Sequence, residues 1–176
     1  MKNIAMEQRL KDEILSFIDS RRSLQLASIG EDGYPFASYA PFASDADAFY
    51  ILLSDIAIHG VNLARDSRAS VLIVEDEDTA GELYARIRVN YQVDAEQLEV
   101  GSPDWERGVS LLEARHGQRP RNLSGLQDFR LFRLHPRKGR YIKGFGKAYT
   151  LEGGTIGGTN IDHLREGHKP REEAAA

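Results

Sequence analysis

The sequence contains no cysteine. Disulfide bonds and thiolate metal ligands are therefore excluded, and the composition fits a reducing compartment. Long apolar runs are also missing, because no stretch approaches the roughly 18 apolar residues that a membrane-spanning helix requires. The N-terminal segment MKNIAMEQRLKDEIL lacks the apolar region of a secretion signal. We therefore expect a cytoplasmic protein that does not interact with membranes.

The chain has no excess of basic residues. Its 23 lysines and arginines are outnumbered by 27 aspartates and glutamates, which gives a net charge of −4. A protein dedicated to nucleic acid normally carries a basic excess, so we expect no nucleic-acid partner. With 176 residues, of which 41% are hydrophobic and 28% charged, the chain is suited to one globular unit with a single sizeable core.

Short segments of alternating polar and apolar residues make up most of the chain, as is typical of hairpin-linked strands. Apolar residues at three- and four-residue steps predict helices over 4–21, in 55–67 and in 104–117. Six or seven strands with short turns predict a mainly β fold, a closed or half-closed antiparallel barrel with flanking helices. The predicted strands cover 23–29, 34–42, 48–54, 69–76, 82–95, 126–136 and 139–152, with PRKG as the turn between the last two.

The alternation assigns polar side chains to the outside of two predicted strands. In YARIRVNY, Arg86 and Arg88 share the face that points away from the barrel. Neighbouring arginines on an outer face are either ordinary solvated surface or a seat for carboxylate or phosphate, which guanidinium groups bind in bidentate fashion. In YIKGFGKAYT, Gly144 and Gly146 share one face, which marks either a barrel corner or the close approach of a ligand.

Two further features need a partner that the local sequence does not identify. Asp128, in LQDFRLFRL, shares a strand face with Arg130, so its carboxylate either pairs with that arginine or accepts a hydrogen bond from a histidine. Near the C-terminus, IDHLREGHKP follows the glycine-rich GGTIGGTN and contains His163 and His168. Taken alone, a histidine in a polar tail is a solvated residue.

Several of these segments together resemble the haem-utilisation proteins of the HugZ/HutZ type, a branch of the pyridoxamine-phosphate-oxidase-like split barrels. The segments are RRSLQLASIGEDGYPFASYAPF, LLSDIAIHGVNLARDSRASVLIVEDE, YARIRVNY, LQDFRLFRL, KGFGKAY and HLREGH. The resemblance extends from about residue 20 to residue 169. HGVNLARDSRASVLI is shared with flavin-binding relatives and indicates only the superfamily, whereas the combination of LQDF, KGFGKAY and EGH is specific to this branch.

The resemblance implies a homodimeric, six- to seven-stranded antiparallel split barrel like that of FMN-binding proteins, with haem bound between the subunits. It also implies that haem is degraded oxidatively, as by a haem oxygenase, with O2 and an external electron donor, so that iron is released. His168 of the EGH motif would be the axial ligand of the haem iron. Asp128 would hydrogen-bond that ligand and support turnover, and Arg88 would act beside it in the haem pocket.

The shape and charge of haem suggest the remaining pocket residues within this interpretation. Two propionates match a cationic group formed by Arg86, Arg88 and Lys143. Gly144 would let the flat macrocycle lie close to the strand, and Phe145 would lie beside it. These assignments depend on the resemblance and on the predicted strand faces together.

The resemblance leaves two histidines open. His59 either lines the haem site, near the place where flavin-binding relatives hold a cofactor phosphate, or lies on the surface. His163, five residues before His168, would be a backup ligand.

The predicted organisation is a split-barrel domain with an N-terminal helix over 1–152 and a flexible C-terminal tail over 153–176 that carries the haem ligand. Two alternative functions remain. One is an FMN-dependent oxidoreductase with the same fold, although the lysine and arginine signature that binds FMN phosphate is incomplete here. The other is a haem carrier or storage protein without catalysis, which needs the same ligand and pocket.

Overall fold

Residues 3–172 are described by the structure, a computed structural model. None of the helices in this range is long and apolar enough to cross a membrane. The helices are α1 (Ile4–Asp19), α2 (Ile58–Arg65), α3 (Pro103–His116) and α4 (Arg119–Ser124), and a single 3₁₀ turn covers Leu83–Ala85. The strands are β1 (Ser23–Ile29), β2 (Pro35–Ser44), β3 (Phe49–Ser54), β4 (Arg68–Val74), β5 (Arg88–Gln97), β6 (Phe129–Ile142), β7 (Ala148–Glu152) and β8 (Asn160–Leu164).

Six strands close into a barrel. Their hydrogen-bonded order is β3-β2-β1-β4-β5-β6, and β3 also pairs with β6, so the sheet returns to its first strand. All of these pairings are antiparallel. Strands β7 and β8 extend the sheet beyond β6. The predicted fold class, a mainly β antiparallel split barrel with flanking helices, is confirmed.

Helix α1 shares the apolar core of the barrel. Leu10, Ile14 and Ile18 follow one another at four-residue steps and are buried in the same cluster as the barrel interior. Asn3 caps the start of the helix, because its side chain accepts a hydrogen bond from the backbone N–H of Met6 at 3.2 Å. Burial of each of the three apolar side chains contributes roughly 1.5–3 kcal/mol, so α1 is firmly attached to the barrel.

Strand β6 is long because it belongs to both parts of the sheet. One of its edges pairs with β5 along most of its length. The other edge pairs with β3 over residues 129–134 and with β7 over residues 138–142. The first half of β6 therefore closes the barrel, while the second half carries the two added strands.

The PRKG segment lies inside β6 and is not a turn. Gln92 of β5 lies opposite Lys138, whereas the next residue, Val93, lies opposite Pro136, so Arg137 is an extra residue in the ladder. Such a bulge bends a strand and tolerates a proline, which cannot donate a ladder hydrogen bond. The prediction of a turn at this point was wrong because a bulge and a turn use the same residue types.

The chain reverses instead at residues 143–147. The backbone N–H of Lys143 donates to the carbonyl of Lys147 at 3.0 Å, and the N–H of Lys147 donates to the carbonyl of Gly144 at 3.1 Å. Gly146 has φ = 70°, a conformation that glycine adopts without strain. The prediction of one strand over 139–152 was therefore wrong, and the two glycines lie in a turn, not on a strand face.

The glycine-rich segment GGTIGGTN is a hairpin loop, and the strand that follows it extends the sheet. Ile156 in this loop is fully buried, and its carbonyl accepts a hydrogen bond from the Tyr91 hydroxyl at 2.6 Å. Strand β8 then pairs with β7 along its five residues. The tail predicted to begin at residue 153 therefore contributes a strand, and after that strand residues 165–172 have no helix or strand. Residues 1–2 and 173–176, which the predicted division also included, lie outside the described residues.

Candidate functional site

A cavity of about 540 Å³ lies on the outer side of the sheet, where β5, β6, β7 and β8 run side by side. Its floor includes one row of side chains across these strands, from Arg88 through Ile142 and Ala148 to Leu164. The 3₁₀ turn, the 143–147 turn and the tail after β8 form its walls. We call it the tail cavity; it is lined by Tyr84, Ala85, Arg88, Arg140, Ile142, Gly144, Phe145, Gly146, Ala148, Leu164, Glu166, Gly167 and His168.

The tail brings His168 to the rim of this cavity. The imidazole is exposed, and its ring centre lies 5.3 Å from that of Phe145, with the two planes tilted by 47°. Phe145 is itself 67% exposed, at the tip of the 143–147 turn. Phe145 was assigned to the barrel domain and His168 to the tail, yet these two predicted ligand-binding residues are in contact.

His163 lies outside the tail cavity. It precedes Leu164, which lines the cavity, so strand alternation directs its ring to the other face of β8. There the ring stacks on Tyr149 with centres 4.9 Å apart, and Nε2 is 3.3 Å from the carbonyl oxygen of Gly146. These contacts hold His163 away from a ligand that His168 would reach.

The two predicted arginines have different surroundings. Arg88 is half-buried in the cavity, and its Nη1 donates to the carbonyl of Arg86 at 2.9 Å. A guanidinium has five N–H donors, so Arg88 keeps donors for an anion. Arg86 precedes β5, and its Nε and Nη2 both donate to the carbonyl of Glu75, with Nε at 3.0 Å. Arg86 therefore fixes the 75–86 connection and does not line the cavity, contrary to the prediction.

Lys143 was also predicted to bind haem, but its side chain lies on the opposite side of the sheet. Its Nζ is 2.9 Å from a carboxylate oxygen of Glu13 in α1, and the Tyr141 hydroxyl donates to the other oxygen at 2.8 Å. The second cation of the cavity is Arg140, which the sequence analysis missed. Arg140 lies two residues before Ile142 in the strand, and this spacing indicates that both side chains share one face.

Asp128 lies at the far end of β6 from the tail cavity. Its carboxylate accepts a hydrogen bond from the Ser54 hydroxyl at 2.7 Å. Of the two partners considered for Asp128, Arg130 is not the one in contact with it, because Arg130 pairs with Asp55 at 2.9 Å. Strand β6 has 14 residues, a length of roughly 45 Å if it were straight. Within one chain, Asp128 and His168 are therefore not brought together.

His59 belongs to the same region as Asp128. It follows the first residue of α2, and its Nδ1 is 3.0 Å from the hydroxyl oxygen of Ser38. Burial lowers the pKa of His59, so the ring is neutral at neutral pH. Its neighbour Gly60 lets α2 pack on β3, since a Cβ there would lie 2.2 Å from the carbonyl oxygen of Ser54. Ser54, His59 and Asp128 form what we call the β3–α2 group.

A larger cleft, of about 680 Å³, lies beside this group between α2 and the β1–β2 turn. Its apolar side chains include Ile56, Ile58 and Val61, which are 84%, 57% and 46% exposed. Its arginine is already engaged, because Arg65 donates to the carbonyl of Ile29 at 2.8 Å. No histidine lines this cleft, so it offers no imidazole to a metal.

The residues of the tail cavity fit haem. An imidazole at the rim suits the iron, apolar Ile142, Ala148 and Leu164 suit the face of a porphyrin, and Arg88 suits a propionate. Gly144 and Phe145 also line the cavity, from the 143–147 turn. Four of the predicted site residues thus meet here, and Arg86, Lys143, His59 and Asp128 do not.

The closed barrel with added strands defines a class of protein, the pyridoxamine-phosphate-oxidase-like split barrels. Residues 10–143 match the family described as pyridoxamine 5'-phosphate oxidase. Within that class the chain is 38% identical over 169 residues to heme oxygenase HutZ of Vibrio cholerae, covering 96% of this chain and 95% of the relative. The chain therefore belongs to the HutZ-type branch of the split barrels, and the resemblance found in the sequence is confirmed.

Two solved structures support the same assignment. The crystal structure of HutZ, described as the heme storage protein of Vibrio cholerae, has a TM-score of 0.69 and covers 73% of this chain and 90% of that one. The crystal structure of Campylobacter jejuni ChuZ has a TM-score of 0.81 at 29% identity, covering 99% of this chain and 68% of that one. HutZ carries both the name of an oxygenase and that of a storage protein. Binding and degradation must therefore be tested separately.

Proposed function

We propose that this protein binds haem in the tail cavity, where His168 would hold the iron, and degrades the porphyrin oxidatively. Its relative HutZ is named a heme oxygenase. The observation that carries the proposal is the meeting of His168, Phe145 and Arg88 around one cavity. The lack of cysteine and of a membrane-spanning helix in residues 3–172 is compatible with this chemistry in the cytoplasm.

His168 would bind the iron through one ring nitrogen. Its position on a segment of only a few residues beyond β8 limits its reach, and the Phe145 ring limits its rotation. Arg88 would bind a propionate, while its bond to the Arg86 carbonyl fixes the direction of the guanidinium. The row of Ile142, Ala148 and Leu164 would exclude water from one face of the macrocycle.

The cavity of a single chain is open, and we propose that a second copy completes it. The β3–α2 group lies at the other end of β6 and is surrounded by exposed Ile56, Ile58 and Val61. A two-fold assembly would cover these apolar side chains and bring Asp128 of the partner subunit to the tail. Light scattering at micromolar concentration should give twice the mass of the 19.7 kDa chain. A monomer would contradict this arrangement.

In that assembly the carboxylate of Asp128 has a defined role. It would accept a hydrogen bond from the Nδ1–H of His168, fix the ring and raise its basicity toward the metal. The bond from Ser54 would hold one carboxylate oxygen in place and leave the other for the imidazole. Haem would supply the redox chemistry when bound, with O2 and an external electron donor as the other reactants.

Titration of the protein with haem tests binding, and the later addition of ascorbate tests turnover. We expect a shifted Soret band at one haem per cavity, followed by loss of that band when ascorbate is added in air. A stable band under these conditions would identify a carrier or storage protein, and a flavin spectrum in place of haem binding would favour the FMN-dependent alternative. Iron released during bleaching, measured with a ferrous chelator, separates degradation from simple haem loss.

A further inference from the structure

Two tyrosines lie directly behind the floor of the tail cavity. Tyr141 stands in β6 between Arg140 and Ile142, which both line the cavity, so its ring lies on the other face of the same strand. Tyr149 of β7 lies opposite Tyr141 in the ladder, and the two rings stack at 6.3 Å with planes 28° apart. Tyr141 is 1% exposed. A ligand on Ile142 would thus be separated from the Tyr141 ring by one strand.

The hydroxyl of Tyr141 has a base as its partner. It donates to a carboxylate oxygen of Glu13 at 2.8 Å. Burial, reinforced by the hydrogen bond to Glu13, raises the pKa of Tyr141, so the phenol is protonated at rest. Tyr91, which is equally buried, donates instead to the carbonyl of Ile156 at 2.6 Å. A carboxylate can accept the proton of an oxidised tyrosine, whereas a backbone carbonyl cannot hold it.

We infer that Tyr141 is a one-electron donor to haem that peroxide has oxidised in the tail cavity, with Glu13 as the proton acceptor; the inference rests on the proposed haem site. One electron passes from the phenol to the oxidised haem. The phenolic O–H bond breaks and a new O–H bond forms on the Glu13 carboxylate. The products are a Tyr141 phenoxyl radical, a neutral Glu13 and haem reduced by one equivalent. Oxidising equivalents that do not attack the macrocycle leave the cavity through β6 by this route.

Replacement of Lys143 distinguishes electron donation by Tyr141 from a purely structural role. The ammonium group of Lys143 lies 2.9 Å from the Glu13 carboxylate. A proton that moves from Tyr141 to Glu13 brings a positive charge toward this ammonium, and Coulomb repulsion opposes that movement. Removal of the ammonium should ease oxidation of Tyr141, whereas removal of the carboxylate should hinder it.

The absence of cysteine allows an oxidant to be fixed in the cavity without haem. A Glu166→Cys substitution on the cavity wall provides a unique attachment point for a ruthenium photo-oxidant. Tyr84 also lines the cavity and is 88% exposed, so all proteins should carry Tyr84→Phe to remove a competing donor. Flash oxidation is then followed by the absorption of the phenoxyl radical.

In this background Tyr141→Phe should reduce the radical yield at least several-fold, while the matched control Tyr91→Phe should not change it. Glu13→Gln, at an exposed position that tolerates the change, should slow radical formation by roughly a hundredfold, the low end of what a positioned base contributes. Lys143→Met should accelerate it. Equal effects of Tyr141→Phe and Tyr91→Phe, or slowing by Lys143→Met, would overturn the inference.

A second measurement connects the donor to haem. The haem-loaded protein, treated with hydrogen peroxide and frozen, should give a tyrosyl signal in electron paramagnetic resonance that Tyr141→Phe removes and Tyr91→Phe retains. A normal Soret band with a radical unaffected by Tyr141→Phe would refute only the inference. Failure to form the Soret band at all would refute the proposed haem site, and haem as the oxidant with it.

Discussion

Arg86 and Arg88 are two residues apart, yet the structure predicts opposite consequences when either is replaced. Arg88 faces the tail cavity with most of its guanidinium donors available. Arg86 uses its guanidinium on the carbonyl of Glu75. Replacement of each by methionine keeps an unbranched apolar stem and removes the charged guanidinium. Arg88→Met should therefore affect ligand binding, and Arg86→Met should affect stability.

The magnitudes follow from the contacts that are lost. A hydrogen bond from a charged group contributes roughly 1.5–3 kcal/mol, so Arg88→Met should weaken haem binding by about 10- to 150-fold. Arg86→Met leaves the Glu75 carbonyl without its partner, at a cost of roughly 1–3 kcal/mol in the free energy of unfolding. For a chain of this size each kcal/mol corresponds to about 2–4 °C in the thermal midpoint.

Both variants should be measured in both assays. Haem affinity can be obtained from quenching of the fluorescence of Trp105, the single tryptophan of the sequence. Stability can be obtained from the thermal midpoint of the protein without haem. The expected result is a crossed pattern, with Arg88→Met changed only in affinity and Arg86→Met mainly in midpoint. Equal losses of affinity in the two variants would refute the separation of their roles and return Arg86 to the haem pocket.

Three further predictions concern single side chains. His168→Ala should abolish the native haem spectrum while His163→Ala changes it little; identical spectra of the two variants would contradict the ligand assignment. Asp128→Asn should bind haem with near-normal affinity and bleach it roughly 10- to 100-fold more slowly, and unchanged bleaching with a lowered thermal midpoint would make Asp128 structural. Although burial opposes it, hydrogen bonds from the backbone of the 45–48 turn hold the pKa of Asp45 below 3.8. Its carboxylate therefore stabilises the fold above that pH, and the stability difference between wild type and Asp45→Asn should shrink as pH falls through the lowered pKa; a constant difference would contradict this.

The barrel could be predicted because its signals are local. The alternation in YARIRVNY assigned Arg88 to the outer face, and the residues that alternate with it, Val89 and Tyr91, are buried in the barrel. Turn chemistry was less reliable, since PRKG and KGFGK both contain the glycine and cationic residues of a reversal. Only the pairing of β6 with β3, β5 and β7 decides between them, and that pairing connects residues far apart in the chain.

The candidate site was harder to predict than the fold. The alternation in a strand assigns a side chain to a face, but it does not indicate which residues of other elements pack against that face. Lys143 was expected to face an anionic ligand, and it does face an anion, but that anion is Glu13, 130 residues away. Arg140 was overlooked although its spacing from Ile142 places both on one strand face. The resemblance implies roles for His168 and Asp128, but no local pattern could indicate that they lie near opposite ends of β6.

Because the two halves of β6 have different neighbours, the native protein should open in two stages. Residues 132–134 are paired with both β3 and β5, so exchange of their amide protons with solvent requires the whole barrel to unfold. Residues 138–142 are paired with β5 as well as with β7, but β8 ends the sheet, so the β7–β8 hairpin can detach and reclose while the barrel persists. The part of the cavity floor that this hairpin carries, Ala148 and Leu164, would then open as a unit of its own. A bulky product could leave through such partial openings at a rate independent of global stability.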